Sequence, residues 1–350
     1  MPQPDPKPRA PESTRMYREV LESASVITHQ LDANRDVMHD LATSLIRRPP
    51  RLIATGARGS SDNAATFAKY LFETRLGVTT TSAAPSVQSI YAASQDLEGA
   101  LFLAISQSGK SPDLVDQADA AKRAGARVVA MVNVEGSPLA HTADFVIPLR
   151  AGPELSVAAT KSFLCSMSAL LHLAAEWSDD AHLRTALDDV PSALDAGWPL
   201  DWSSLVDGLE DARNLFVVGR GLGLAAAQEA ALKLKETCGL HAEAFSSAEV
   251  QHGPMALVGE DFPVLFFVQD DDTREGTLEV AAKFRARGAR VWVAGQASGI
   301  GTLPLAARLD PACAPLVAVH RCYGAINALS VRRGRDPDAP PHLRKVTETI

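Results

Sequence analysis

Residues 51–61 read Arg51-Leu52-Ile53-Ala54-Thr55-Gly56-Ala57-Arg58-Gly59-Ser60-Ser61. A short apolar run ends on glycine, and a hydroxyl-rich loop then opens an Ala-rich helical stretch. The pattern continues downstream. A strand is predicted over 100–105, followed by the loop Ser106-Gln107-Ser108-Gly109-Lys110-Ser111, a helix to about residue 123 and a strand over 127–132. Strand, polar loop, helix and strand make the βαβ rhythm of a parallel sheet. In such sheets ligands bind where strands end and helices begin.

The chain repeats this pattern. Asn214-Leu215-Phe216-Val217-Val218-Gly219 has the shape of 51–56, and Gly219 lies 163 residues after Gly56. Gly288 follows Gly125 by the same interval, as 265–268 follows 102–105. Three anchors at one offset indicate a duplicated domain, because the period is far too long for a solenoid. The expected organisation is an N-terminal tail and helices over 1–48, a first domain over 49–185, a second over 203–335 and a tail over 336–350. Residues 13–48 are expected to be helical up to Pro49-Pro50, and 179–202, rich in Asp, Pro and Trp, is expected to be the linker.

Composition excludes several classes. The net charge of −8 and the absence of a long basic run argue against a nucleic-acid partner. The arginines at 332, 333 and 335 are expected to be a solvated turn. No apolar run is long enough to span a bilayer, and no signal-peptide core precedes residue 13, so a cytoplasmic protein is expected. Four cysteines without CxxC spacing, and scattered histidines without HExxH, imply neither zinc nor another metal. No cofactor is implied.

Gly59, Ser60 and Ser61, with Ser106, Gln107, Ser108 and Ser111, suit a phosphate. Glycine lets backbone approach closely, and a helix N-terminus carries partial positive charge. The plain alternative is that these residues only cap helices. The second copy lacks the serines and carries Gln269-Asp270-Asp271-Asp272 in place of 106–109, which would repel phosphate. The second copy is therefore expected to do something else. A candidate is Glu229-Ala230-Ala231-Leu232-Lys233-Leu234-Lys235-Glu236, where Lys233 and Glu236 share a helix face. Such a pair is also an ordinary surface salt bridge in many helices.

Several strings together resemble the isomerase half of glucosamine-6-phosphate synthase and the SIS-type (sugar isomerase) glucosamine-6-phosphate deaminases. They are 59–61, 106–109, Ala151-Gly152-Pro153-Glu154, Val157-Ala158-Ala159-Thr160-Lys161, 230–236, His241-Ala242-Glu243, His252-Gly253-Pro254 and Leu343-Arg344-Lys345. The resemblance implies an α/β fold of two tandem SIS domains, each a flavodoxin-like parallel-sheet αβα sandwich, related by internal duplication. It implies that Ser60, Ser61, Ser106, Gln107, Ser108 and Ser111 hold a sugar phosphate beside Gly59, with Val157 and Ala159 at sugar-contact positions. Glu236 would move protons between C1 and C2, and Lys233 would assist near the ring hydroxyls. His252 would open the ring from a neighbouring subunit, so a homodimer is implied. Lys345 would close over the sugar and form an imine with its carbonyl carbon.

Two departures bear on substrate. The family's usual serine before Thr-Lys is Ala159, and Lys110 replaces a glutamate. About 48 residues precede the first strand, with no cysteine among them, so no glutaminase is expected. The direction favoured is therefore glucosamine 6-phosphate to fructose 6-phosphate and ammonia. A fructosamine 6-phosphate deglycase or galactosamine 6-phosphate deaminase keeps the same residues. A non-catalytic sugar-phosphate sensor would need only the phosphate loops.

Overall fold

The computed structural model describes residues 10–91, 93–296, 299, 301–306 and 309–345. It opens with α1 (Arg15–Leu21), α2 (Ser23–Ala33) and α3 (Arg35–Arg47). The first half continues through β1 (Ile53–Gly56), α4 (Ser60–Leu76), β2 (Thr80–Ser82), α5 (Pro85–Ser89), β3 (Leu101–Ser106), α6 (Pro112–Arg123), β4 (Arg127–Val132), α7 (Pro138–Thr142), β5 (Phe145–Pro148) and α8 (Lys161–Trp177). Helices α9 (Ala181–Asp188), α10 (Val190–Gly197) and α11 (Ser203–Leu209) lead to the second half. This holds β6 (Asn214–Gly219), α12 (Gly223–Cys238), β7 (His241–Ser246), β8 (Pro263–Phe267), α13 (Arg274–Ala286), β9 (Arg290–Ala294), β10 (Thr302–Leu303) and α14 (Ala314–Arg332).

The two sheets run β2-β1-β3-β4-β5 and β7-β6-β8-β9-β10, the same order in both halves. Every strand pairing is parallel. The 163-residue offset carries β1 onto β6, β3 onto β8 and β4 onto β9. The two glycines that anchored it enter β4 and β9 with φ of 89° and 83°, left-handed backbone that favours glycine.

Strand faces divide the molecule into layers. In β3, Leu101, Leu103 and Ile105 join a core that also takes Leu215, Val217 and Leu265 of the second sheet. Helices α4, α8, α12 and α14 fill this shared core. The alternate residues Phe102 and Ala104 face a separate core under α6, and Val218, Val264 and Phe266 face one under α13. The two halves thus share one central layer of helices, which brings α4 of the first copy against α12 of the second.

Residues 13–48 are helical as expected, and two other expectations need correction. The stretch 13–48 is three helices, with breaks at Glu22 and Asn34, where the Asn34 side chain donates to Pro148 O and accepts from Arg150. Residues 179–202 are not a bare linker. Leu183, Leu187, Val190 and Leu194 recur at helical spacing, and all four are buried. Of the arginines before the tail, Arg332 and Arg335 are exposed as expected, but Arg333 is turned inward and donates to the carbonyls of Cys238, Leu209, Glu210 and Ala212.

The N-terminal helices clasp the loop before α8 and the tail. Glu19 accepts from Leu155 N and Ser156 N, and Glu22 pairs with buried Lys161. Asp338 accepts from Arg15 N and Met16 N, while its carbonyl accepts from Val157 N. Among the described residues no helix is long and apolar enough to cross a membrane.

Candidate active site

A cavity of about 370 Å³ opens at the C-terminal edge of the first sheet. That is at the small end of the range for small-molecule sites. Gly59, Ser60, Ser61, Ser106, Gln107, Ser108 and Ser111 line one part of it. Val157 and Ala159 form a wall, and Lys233, Glu236 and Lys345 also line the cavity. The structure therefore brings together all the residues given a catalytic or binding role in the sequence except His252. That histidine is exposed on the loop after β7 and lines no part of the cavity.

The hydroxyls divide by what they already do. Ser106 Oγ accepts from Gly109 N at 3.0 Å and shapes the loop. Ser108 Oγ accepts from Lys110 N at 3.3 Å. Ser111 stands at the N-cap of α6, yet its side chain caps nothing. Among the described residues, the side chains of Ser61, Gln107 and Ser111 have no hydrogen-bond partner although they line the cavity. Uncommitted polar groups at the starts of α4 and α6 and just after β3 are suited to an anion. Ser60 is different, because its hydroxyl donates to Glu229 Oε1 at 3.1 Å and is spent there.

The equivalent place in the second half is closed by its own side chain. Gln269, at the position matching Ser106, is buried and donates through Nε2 to Arg220 O, Asp271 and Thr273. Its Oε1 would stand 2.4 Å from a Cβ on Gly223. The second copy is thus plugged by an amide as well as ringed by acids.

Helix α12 supplies charge instead. Lys233 Nζ lies 2.5 Å from Glu236 Oε2 and 3.5 Å from Glu229 Oε1. Lys233 is 1% exposed and Glu229 fully buried, so this is no surface salt bridge. Burial draws the Lys233 ammonium down, but Glu229 and Glu236 outweigh it and leave its pKa above the ordinary value. Burial pushes the Glu229 carboxyl up, with Lys233 opposing. Asn63 of α4 and Tyr323 of α14 each donate to Glu229 at 2.8 Å, which fixes α12 between its neighbours. Glu236 points outward from this cluster into the cavity.

Several cavity-lining residues, and the buried Glu229 behind them, had no role in the sequence reading. Ser162, Phe163 and Ser166 project from the first turns of α8, and their i, i+4 spacing was a visible signal. Arg58 lines the mouth and donates through Nε and Nη2 to Asp113 Oδ2. Glu229 could be found only from its burial and its partners. Glu154, read from the sequence without a role, holds Lys345 Nζ at 2.9 Å. His241 opens β7 and is exposed outside the cavity. All four cysteines are buried, and burial pushes the Cys238 thiol up to about 12, so it is no nucleophile here.

The SIS domain family pattern matches residues 45–176 and 208–294, one segment on each half of the duplication. This chain belongs to the SIS domain family. Glutamine–fructose-6-phosphate aminotransferase (isomerizing) of Pyrobaculum aerophilum is 37% identical to this SIS chain over 287 residues, covering 75% of this chain and 46% of that protein. The SIS chain spans about half the length of the curated relatives it matches. A solved structure described as a phosphosugar isomerase, from Silicibacter pomeroyi DSS-3, superposes with a TM-score of 0.89 at 43% identity, covering 93% of this chain and 100% of that one. The C-terminal domain of glucosamine-fructose-6-phosphate aminotransferase from Francisella tularensis gives 0.85 at 26% identity, covering 94% and 98%.

Proposed function

We propose that this SIS-family chain is an aldose–ketose isomerase of a phosphorylated amino sugar that releases ammonia, converting glucosamine 6-phosphate and water to fructose 6-phosphate and ammonia. The observation that carries this reading is the joint lining of one cavity by the free side chains of Ser61, Gln107 and Ser111 and by Glu236, Lys233 and Lys345. The phosphate sits at the hydroxyl loops, with the sugar carbons along the wall of Val157 and Ala159. Glu236 takes the proton from C2 and returns it to C1, while the Lys233 ammonium holds that carboxylate in position. The imine left at C2 passes to Lys345 by exchange of amines, ammonia leaves, and water then releases the ketose. His252 of a second copy completes the site by moving the proton from O1 to the ring oxygen. Its exposure on the loop after β7 suits that role.

The test is ammonia release from glucosamine 6-phosphate by the purified chain without glutamine. Fructose 6-phosphate appearing in step with ammonia supports the reading. Tight sugar-phosphate binding without turnover overturns it. Ala159 in the cavity wall favours one second reading, a related sugar such as galactosamine 6-phosphate or fructosamine 6-phosphate. A larger kcat/KM for one of these would displace glucosamine 6-phosphate.

A further inference from the structure

The loop between β5 and α8 carries Glu154, whose side chain is fully buried. Its Oε1 accepts from Thr160 N and Ser162 N, each at 3.0 Å. Its Oε2 accepts from Ser162 Oγ at 2.7 Å and from Lys345 Nζ at 2.9 Å. The first three bonds cap the start of α8 and are local. The fourth comes from 191 residues away, out of the tail that crosses the cavity. Burial alone would raise the Glu154 carboxyl, but Lys345 and the hydrogen bonds from Ser162 and Thr160 outweigh it and hold it below the ordinary value. Lys233 of α12, Tyr323 of α14 and Cys165 of α8 also feel this carboxylate, yet none of them hydrogen-bonds it. Only Lys345 makes an ion pair with it among the described residues.

The same carboxylate thus fixes two things at once. It sets the turn that carries Val157 and Ala159 into the cavity, and it receives the tail lysine at the cavity wall. Asp338 makes a parallel tie seven residues upstream in the tail, where its carbonyl accepts from Val157 N. The wall and the tail are therefore registered on one another at both ends.

We propose that Glu154 is the positioning residue that seats Lys345 over the cavity, so that docking of the tail and imine formation depend on this ion pair. The proposal rests on the assignment of Lys345 made under Proposed function. In the covalent step the seated ammonium first gives its proton to solvent. The neutral Nζ then adds to the C2 carbonyl of the open ketose, the Nζ–C2 bond forms, and the carbonyl oxygen leaves as water with the two amine protons.

The experiment traps that imine. The full chain is incubated with fructose 6-phosphate and borohydride, which reduces the C=N bond to a stable amine, and the adduct on Lys345 is followed by mass spectrometry. Glu154→Gln keeps the acceptor for the α8 cap but loses the ion pair. It should form the adduct about tenfold or more slowly, because small misplacements of a reacting group carry large rate losses. Binding of fructose 6-phosphate, by calorimetry, should stay within about threefold, since its phosphate contacts are untouched. Equal adduct rates, or a parallel loss of binding and adduct, would overturn the proposal. Hydrogen exchange of residues 338–345 gives an independent readout in Lys345→Gln, a change near the end of the tail that leaves the Glu154 cap intact. Faster exchange supports the seat and unchanged exchange sinks it, even if Glu154→Gln fails to fold. A wild-type chain that forms no adduct on Lys345 removes the imine assignment itself, while the exchange result still decides whether the ion pair holds the tail.

Discussion

The hydroxyl of Ser60 donates to Glu229 Oε1, linking the first residue of α4 in one half of the duplication to a buried carboxylate of α12 in the other. Ser60 and Ser61 are adjacent and chemically alike, yet only Ser61 has its hydroxyl free toward the cavity. Ser60→Ala should therefore act on the catalytic cluster, costing about 1 kcal/mol of stability and lowering kcat. Ser61→Ala and Ser111→Ala should raise KM instead. Steady-state kinetics of the three variants, with thermal unfolding, separates these roles. A matching rise in KM for Ser60→Ala would return it to the phosphate.

Glu236 and its ion-pair partner Lys233 both line the cavity, with Glu236 the more exposed of the two. Glu236→Gln should lower kcat by roughly 10²-fold or more, with little change in KM. Unchanged turnover would remove Glu236 from proton transfer.

Lys233→Met leaves Glu229 without its cation in a fully buried place. Breaking a buried pair from one side costs about 3–5 kcal/mol, so urea unfolding should shift strongly toward lower denaturant. A shift no larger than that of a surface lysine variant would show that the pair is not stabilising.

Gly109 turns the loop between Ser106 and Ser111 with φ of 60°, and a Cβ there would stand 2.1 Å from Ser137 Oγ. Gly109→Ala should distort the loop that Ser106 braces and raise KM for the phosphorylated substrate about tenfold or more, with a loss of stability as well because Gly109 is buried and its backbone is left-handed. Inorganic phosphate inhibition should weaken in parallel. Wild-type KM in this variant would place the phosphate elsewhere.

His320 on α14 is buried, and burial lowers its pKa to about 4. Its Nε2 lies 3.3 Å from Val20 O, and its ring packs 5.1 Å from Trp198. Because the folded pKa lies below the unfolded value of 6.5, the unfolded chain binds the proton first. Stability from this group is complete above pH 6.5 and lost as pH falls toward 4, by about 3 kcal/mol. Urea midpoints measured between those pH values should fall, and His320→Gln should flatten the fall. An unaltered slope in the variant would assign it to other groups.

The duplicated α/β architecture was legible because glycines, strand runs and their 163-residue interval are local features that survive in sequence. The hydroxyl loops were legible too, since a glycine-serine turn between strand and helix states its own geometry. The helical nature of 179–202 was obscured because Asp180, Asp189 and Pro191 stand at helix starts, where they look like loop residues, while Leu183, Leu187, Val190 and Leu194 carry the helical spacing. What no local pattern contains is which residues are spent inside the protein and which are left for a ligand. Ser60, Glu229 and Asn63 meet only because the two halves share one helical layer, and Lys345 reaches Glu154 only when the tail is folded back. The sequence by itself determined the two copies, their principal strand runs and the chemical kinds of group present. The tertiary structure alone decided which acid is buried, which serine is free and which carboxylate receives the tail lysine, because burial and pairing arise from contacts between residues more than a hundred positions apart.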